Sequence, residues 1–406
     1  MRKFFSRAIA GKEGGLSVLS SFLAIFAGLL VGLVVLLITD YSQAFPAFID
    51  ILTFGFQSLR NFGQVLYFAT PIIMTGLSVG FALRTGLFNI GASGQFTFGA
   101  FAAVVIGLQA DFLPPLLRVA ASLLGAMLAG AVWAAIPGLL KAFRNVHEVI
   151  TSIMTNWIGI YLVNYLILNM VLSRAGEPFA LFDFERNSTQ RLPSDSNVPG
   201  LGLGEFFQGE ALRPSSVNGG IVIAIAVAII IFIVLEKTKF GYELKACGFN
   251  KDSAKYAGIN EKRNIIFSMM ISGALAGLGG ALHFLSGAGI TMNVSDVLAG
   301  EGFTGISVAL LGMSNPIGII FAGIMIAYLQ LGGFQMQLFG FVPEIIQIVT
   351  AIIIYFCAFV LLVKMFFYRF SRKGRLSEDE ETGADPPPDG GGDTTPPQDG
   401  DQEGVV

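Results

Sequence analysis

"GLFNIGASGQFTFGAF", residues 86–101, carries four glycines, an asparagine and a glutamine, and it lies within an uncharged stretch that runs from Thr85 to Ala110. The stretch is long enough to cross a bilayer, which takes about 20 predominantly apolar residues in a helix. Glycine loosens a helix, and amide side chains are costly in lipid unless they find hydrogen-bond partners. The segment therefore predicts loosened backbone and bonded polar groups at membrane depth.

The rest of the chain has the composition of an integral membrane protein. Of its 406 residues, 53% are hydrophobic and 13% are charged, whereas soluble domains have about 25% charged residues. The apolar runs are too long for the alternating strands of a membrane barrel. We predict an all-α integral membrane protein with about ten transmembrane helices. The predicted spans are residues 16–39, 64–83, 85–110, 119–140, 149–173, 215–235, 264–286, 300–314, 317–333 and 345–364.

Basic residues indicate the orientation, because Lys and Arg accumulate in cytoplasmic loops. They concentrate before the first predicted span and after the fourth, sixth and tenth spans. With ten crossings these positions share one side, so both termini are predicted to be cytoplasmic. The connections predicted on the opposite side, residues 40–63, 111–118 and 287–299, hold few basic residues. The first span is too long for the core of a signal peptide, so we interpret it as a retained anchor helix.

The chain is predicted to have three parts, which are a cytoplasmic N-terminal segment over residues 1–15, a polytopic domain over 16–375 and a tail over 376–406. The tail is rich in acidic residues and proline and has no basic residue. Such a segment cannot bury enough apolar surface to offset its ordering entropy, so we predict that it is disordered.

A polar external loop is predicted at residues 174–213. It either contacts an extracellular partner or is a solvated insertion. Phe179, Phe182 and Phe184 predict some short packed structure there.

Motifs for catalysis are absent from the sequence. It contains no phosphate-binding G-x-x-x-x-G-K-[ST] loop and no H-E-x-x-H pair. Its two cysteines and two histidines give no support for a metal site. The run "GALAGLGG", residues 273–280, has the small-residue spacing of helix packing in membranes. We expect no catalytic residue, no metal and no cofactor in this chain.

A second Gly-rich polar segment, "AGEGFTGISVALLGMSNP" at residues 299–316, makes up the short eighth span. Paired short or Gly-interrupted spans in two halves are typical of transporters with inverted repeats. The halves are predicted to be spans two to five and seven to ten. Irregular backbone at membrane depth is tolerated where it lines a water-filled cavity. We predict a translocation pathway lined by Asn89, Gly94, Gln95, Phe96, Asn156, Glu301, Gly302 and Phe303.

Other roles for these polar residues stay open. Asn89, Gln95 and Asn156 either contact substrate or bond neighbouring helices. An acidic residue at the centre of a span costs about 2.5–3.5 kcal/mol on insertion, so Glu301 should face the interior or lie near the external interface. At the interface it would be a helix-start residue, which the helix dipole favours.

The connection at residues 236–263 mixes basic, acidic and apolar residues. Asn250 or Asp252 is expected to cap a short helix that ends near Gly258. A short amphipathic helix in this position suits a groove on a soluble partner, and it equally suits an anionic lipid surface.

Several segments in order resemble one known family. The opening stretch closely resembles the FNIG-x-x-GQ segment of ABC-importer permeases in the branched-chain amino acid, ribose and nucleoside superfamily, particularly its nucleoside and simple-sugar branch. "HEVITSIMTNWIGIYLVNYL" at residues 147–166, the stretch at 244–282 and "GEGFTGISVALLGMSNPIGI" at 300–319 are similar to further family segments. The resemblance covers most of the membrane part, from about Val65 to Val363.

The resemblance implies a multi-pass permease subunit of an ATP-driven importer in the bacterial plasma (inner) membrane, for nucleosides or a related sugar-containing solute. It also implies four kinds of partner, which are cytoplasmic subunits that bind ATP and Mg²⁺, a second permease chain in a heterodimer, an extracytoplasmic solute-binding protein and membrane lipid. No nucleic-acid partner is expected. The family's ATPase-coupling helix matches the segment that contains Lys245, Ala254, Ala257, Gly258 and Ile259.

Two alternative functions stay open from the sequence. One is an ABC permease for free sugars, which would differ in the groups that line the cavity. The other is a stand-alone secondary transporter or channel, which should carry embedded carboxylates for ion coupling. Only Glu301 and Glu344 come near that description, and both lie close to the ends of predicted spans.

Overall fold

The computed structural model of the protein describes residue 23 and residues 25–174, 177–209 and 214–358. The predicted N-terminal segment, 1–15, and the predicted tail, 376–406, lie outside the described residues. The described part is mainly helical. Its helices are α1 (Ile25–Thr39), α2 (Tyr41–Gln57), α3 (Leu59–Arg84), α4 (Ala92–Gln109), α5 (Pro115–Arg144), α6 (Glu148–Asn169), α7 (Leu203–Phe206), α8 (Gly220–Lys237), α9 (Lys239–Phe249), α10 (Lys251–Tyr256), α11 (Glu261–Phe284), α12 (Gly300–Leu311), α13 (Pro316–Gln335) and α14 (Pro343–Ala358).

A helix lies in every predicted span, although the helices differ in length. Within the described residues, seven are long and apolar enough to cross a membrane, namely α3, α4, α5, α6, α8, α11 and α13 with the 3₁₀ turn that follows it. Helices α1, α12 and α14 are apolar but shorter. The chain is therefore an α-helical membrane protein, and the count of ten crossings stays a prediction.

The sequence predicts a simple connection at 40–63. The structure differs, because helix α2 occupies most of this segment. Asp40 caps this helix by accepting a hydrogen bond from the backbone N–H of Ser42 at 2.9 Å. Buried residues recur on one helical face, at Ala44, Ala47, Ile51 and Phe54. Helix α2 has 17 residues but is not among the apolar helices, which is why the hydropathy argument missed it.

The predicted third span, 85–110, is helical only from Ala92 onward. Residues 85–91 form turns and irregular backbone between α3 and α4. Gly86 has a left-handed φ of 74°, and a Cβ added there would lie 2.5 Å from the Cα of Gly248. A glycine is therefore required by both the backbone angle and the close approach to α9.

Helix α11 packs at backbone contact against α4 and α5 through the glycines of residues 273–280. A Cβ on Gly277 would lie 2.4 Å from the carbonyl oxygen of Ala126, and one on Gly280 would lie 2.3 Å from that of Phe96. Small residues permit such close approach in membranes, where lipid gives helices no hydrophobic reason to associate. The helix-packing interpretation of "GALAGLGG" is confirmed.

The two predicted halves exchange their first helices. Helix α3 packs against α12 and α13, and α11 packs in the corresponding way against α4 and α5. Each half is therefore held together by a helix from the other. The largest buried cluster runs through this interlocked centre, and it includes Ile73, Leu77, Leu275 and Val308.

Helix α6 ends at Asn169, and short β-structure occupies the end of the predicted fifth span, 149–173, and the predicted external loop, so the described protein is not exclusively α-helical. Strands β1 (Val171–Arg174) and β2 (Glu177–Ala180) pair antiparallel, as do β3 (Phe182–Asp183) and β4 (Ser188–Thr189).

Only part of the packing expected from the loop's phenylalanines is present. Phe182 is buried and Phe179 is half-buried, as expected, but Phe184 is 83% exposed. Thr189 accepts a hydrogen bond at its Oγ1 from the backbone N–H of Met292 at 3.1 Å. The loop is therefore fastened to the connection between α11 and α12.

Replacement of Gly277 by alanine should lower the melting temperature of the purified protein in detergent. The added Cβ has no room beside the Ala126 carbonyl, and overpacking a close-packed core costs about 1–3 kcal/mol. Gly200→Ala is the matched control, because nothing lies within 4 Å of its added Cβ. Equal melting temperatures for the two variants would contradict the close packing of α11.

Candidate translocation site

A buried polar network lies where the chain enters α4. The Asn89 side-chain amide donates to Gln95 Oε1 and to Ser272 Oγ, both at 2.7 Å. Gln95 donates back to Asn89 Oδ1 at 3.0 Å, and this oxygen also accepts the backbone N–H of Gly91. Ser272 donates to the carbonyl of Ser78 at 2.7 Å. The network joins α3, α4, α11 and the irregular segment 85–91.

Asn156 of α6 completes the start of α4. Its Oδ1 accepts the backbone N–H of Gly94 at 2.9 Å, and its Nδ2 donates to the carbonyl of Ile90 at 3.0 Å. Backbone N–H groups in the first turn of a helix have no intrahelical partner, and α4 has no side-chain cap of its own at Gly91. A Cβ on Gly94 would lie 2.8 Å from Asn156. Asn156 thus acts as a cap supplied by another helix.

In this conformation the structure brings together four of the eight residues predicted to line the pathway, and it uses them to join helices. Asn89 and Gln95 are fully buried, and Asn156 and Gly94 are buried beside them. Their polar groups are bonded to protein. Direct contact of these residues with substrate stays a prediction.

Of the other four predicted residues, one packs against backbone, one is exposed and two line cavities. Gly302 lies against the backbone of Ser93, where an added Cβ would be 2.5 Å away. The Ser93 hydroxyl also donates to the carbonyl of Ala299 at 2.8 Å. Phe303 is exposed. Glu301 and Phe96 line cavities.

The first cavity has a volume of about 390 Å³ and lies between α3, α11, α12, α13 and α14. Aromatic rings and uncharged polar groups share its wall with one acidic group. Its lining includes Tyr67, His283, Glu301, Gln330, Phe334 and Gln347.

The second cavity has a volume of about 290 Å³ and lies between α4, α6, the end of α11 and the connection that precedes α12. Amide and hydroxyl groups are prominent in its lining, which includes Phe96, Thr97, Asn164, His283, Asn293 and Glu301. His283 and Glu301 belong to both linings and so stand at the junction of the two cavities. The His283 ring is 6.1 Å from the Phe96 ring and 4.9 Å from the Phe284 ring, centroid to centroid.

Sequence reasoning missed His283, Gln330 and Gln347. The sequence analysis weighs His283 only as a zinc ligand, and the two glutamines are single polar residues in otherwise apolar runs. Polar side chains inside predicted spans were the available signal, because such residues face the interior of a helical bundle.

The predicted coupling segment folds as α9 and α10. Asn250 caps α10 by accepting the backbone N–H of Ser253 at 3.0 Å, and Gly258, with a φ of 78°, turns the chain after it. The expected short helix, its cap and its end are confirmed. Among the five predicted coupling residues, Lys245 is ion-paired with Glu236 at 3.0 Å, Ala254 is buried, Ile259 is half-buried, and Ala257 and Gly258 are exposed.

Two aromatic side chains of this segment have no cover in the described part of the chain. Tyr256 is 94% exposed and Phe249 is 90% exposed. Exposed aromatic rings on short helices are typical of an interaction surface.

Comparison with known proteins assigns the family. The model of the family described as "Branched-chain amino acid transport system / permease component" matches residues 61–358, which is well over half of the chain.

Three relatives illustrate the similarity. The chain is 36% identical to the guanosine ABC transporter permease protein NupP of Bacillus subtilis, over 87% of this chain and 96% of that protein. It is 35% identical to the nucleoside ABC transporter permease protein NupB of Lactococcus lactis, over 86% and 92%. It is 32% identical to the glucose ABC transporter permease protein TsgB13 of Haloferax volcanii, over 89% and 93%. The chain belongs to the family of ABC transporter permease components.

Proposed function

We propose that this chain forms the translocation pathway of an ATP-driven importer for nucleosides. The observation that carries the proposal is the similarity to a guanosine permease and a nucleoside permease along nearly the whole chain. Permease components translocate solute and do not hydrolyse ATP, which agrees with the lack of a phosphate-binding loop in this sequence. The protein is a multi-pass protein of the bacterial inner membrane.

The proposed topology has ten crossings, an inverted repeat and cytoplasmic termini. The exchange of α3 and α11 between the two halves supports the repeat. The concentration of basic residues at 236–263 supports a cytoplasmic position for α9 and α10. In this orientation both cavities lie toward the external end, since they are bounded by the end of α11 and the start of α12.

The proposed energy source is a cytoplasmic ATPase that binds ATP and Mg²⁺ and contacts α9 and α10. The exposed rings of Phe249 and Tyr256 support such a contact, because aromatic residues dominate the binding energy of many interfaces. A second permease chain and a solute-binding protein complete the proposed complex. Closure of the ATPase would move this segment and switch the bundle between two packed states.

A free sugar is the second candidate substrate. It is favoured by the similarity to the glucose permease TsgB13. The amide and hydroxyl groups of the second cavity suit sugar hydroxyls.

Reconstitution with the partner subunits tests both candidates. We expect proteoliposomes that contain the full complex and ATP to accumulate labelled guanosine, with little uptake of labelled glucose. Liposomes that lack the ATPase subunit should accumulate neither. Uptake without the ATPase would contradict the importer assignment, and glucose uptake alone would favour the second candidate.

Replacement of Tyr256 by alanine should weaken association with the ATPase about thirty-fold, since truncating a central aromatic residue of an interface costs about 2 kcal/mol or more. The measurement is co-purification of ATPase with tagged permease at graded concentrations. Phe184→Ala is the control, because this exposed ring lies in the predicted external loop. If Tyr256→Ala co-purifies with the ATPase as well as the wild type does, the proposed contact is wrong. Gly258 is a poorer test, because its left-handed φ makes any replacement strain the turn itself.

Cysteine labelling tests the orientation. In a protein with Cys247 and Cys357 replaced by serine, Asp195→Cys should react with an impermeant maleimide in intact cells. Lys251→Cys should react only after the membrane is permeabilised, because α10 is proposed to be cytoplasmic. The reverse pattern would overturn the orientation.

A further inference from the structure

The junction of the two cavities holds two polar side chains that make no hydrogen bond to the described part of the chain. Within the described residues, neither Glu301 nor His283 is hydrogen-bonded to another group of the chain, although both line both cavities. Polar groups inside a helical bundle ordinarily have hydrogen-bond partners. The two groups interact electrostatically with each other, and both face the space that a solute would occupy.

The backbone around Glu301 is held in place, so the point from which its side chain projects is fixed. The adjacent residue, Gly302, packs directly on the backbone of Ser93, and the Ser93 hydroxyl bonds the carbonyl of Ala299 at 2.8 Å. These two contacts fix the first turn of α12 against α4. Binding groups on fixed backbone lose little freedom when a ligand arrives.

The wall around Glu301 suits a flat heterocycle. Tyr67, Phe68 and Phe334 bring aromatic rings to the first cavity, and Gln330 and Gln347 bring amides. Nucleobases are held by aromatic stacking and by hydrogen bonds to their edges. A volume of about 390 Å³ lies within the range of about 300–1,000 Å³ that is usual for small-molecule pockets.

The chemistry of a carboxylate narrows the class of base. An ionised carboxylate accepts hydrogen bonds on both oxygens and donates none. The Watson–Crick edge of guanine presents two adjacent donors, the ring N1–H and the 2-amino group, which match two acceptors. The edge of adenine presents an acceptor at N1 beside the 6-amino donor, so a carboxylate faces one unmatched acceptor there.

We propose that Glu301 is the specificity-determining residue of the permease and binds the paired N–H donors of a guanine-type nucleobase at the junction of the two cavities. His283 stands beside it, with its ring near those of Phe96 and Phe284, and forms part of the same wall. The inference rests on the proposed nucleoside transport, which it deepens by naming the kind of base.

Glu301→Gln tests the inference, because glutamine keeps the shape of glutamate but offers one acceptor and one donor. The measurement is equilibrium binding of labelled guanosine and labelled adenosine to the purified permease–ATPase complex in nanodiscs, without the solute-binding protein. We expect guanosine affinity to fall about ten-fold or more, and adenosine affinity to stay level or rise, since one matched bidentate contact gives discrimination of that order.

Two further variants complete the design. Glu344→Gln is the matched control, because Glu344 is an exposed acidic residue in the first turn of α14 and lies in neither lining; it should leave both affinities unchanged. Glu301→Asp keeps both acceptors and should retain a preference for guanosine. This variant carries the test if Glu301→Gln fails to assemble, as judged by size-exclusion chromatography.

Each contrary outcome has its own meaning. If the wild-type complex transports guanosine but binds none in this assay, the inference is wrong and the proposed function stands. The same holds if Glu301→Gln keeps the wild-type ratio of affinities or weakens both nucleosides equally, or if Glu301→Asp loses the preference. If the wild-type complex with its binding protein transports no nucleoside, the proposed function itself is wrong.

Discussion

The close approach of α11 to α4 and α5 is the contact on which the rest of the structure depends. Glycines at 277 and 280 place the α11 backbone beside carbonyl oxygens of its neighbours, with no room for a methyl group. Lipid supplies no hydrophobic force between helices, so this packing and the hydrogen bonds it permits must hold the bundle. Because α3 and α11 are exchanged between the two halves, helix packing holds both halves together.

That approach also brings polar side chains within bonding distance. Ser272 lies one residue before the glycine run and bonds Asn89, and Asn89 bonds Gln95. Asn156 closes the set from α6 by capping α4. A helix can therefore begin at Ala92, deep in the bundle, because other elements satisfy its first N–H groups. The glycines allow the helices to approach closely, and the polar residues form the hydrogen bonds that this approach permits.

Sequence reasoning reached the fold class, the span positions and the short helix at 251–256, because apolar length, Asn250 and Gly258 are local signals. It missed α2, which is less apolar than a span, and it extended the third span over residues 85–91. The cavities were harder to predict, since His283, Gln330 and Glu301 come from three different helices. Their convergence depends on tertiary packing, which a single sequence does not display.

The contact between Gly86 and Gly248 gives α9 a direct mechanical connection to the centre of the bundle. Backbone touches backbone there, and no side chain stands between to absorb a displacement by changing rotamer. Three residues beyond Gly86 is Asn89, whose bonds join α3, α4 and α11. A displacement of α9 would therefore act directly on the backbone of the segment that carries Asn89, whose hydrogen bonds join three helices.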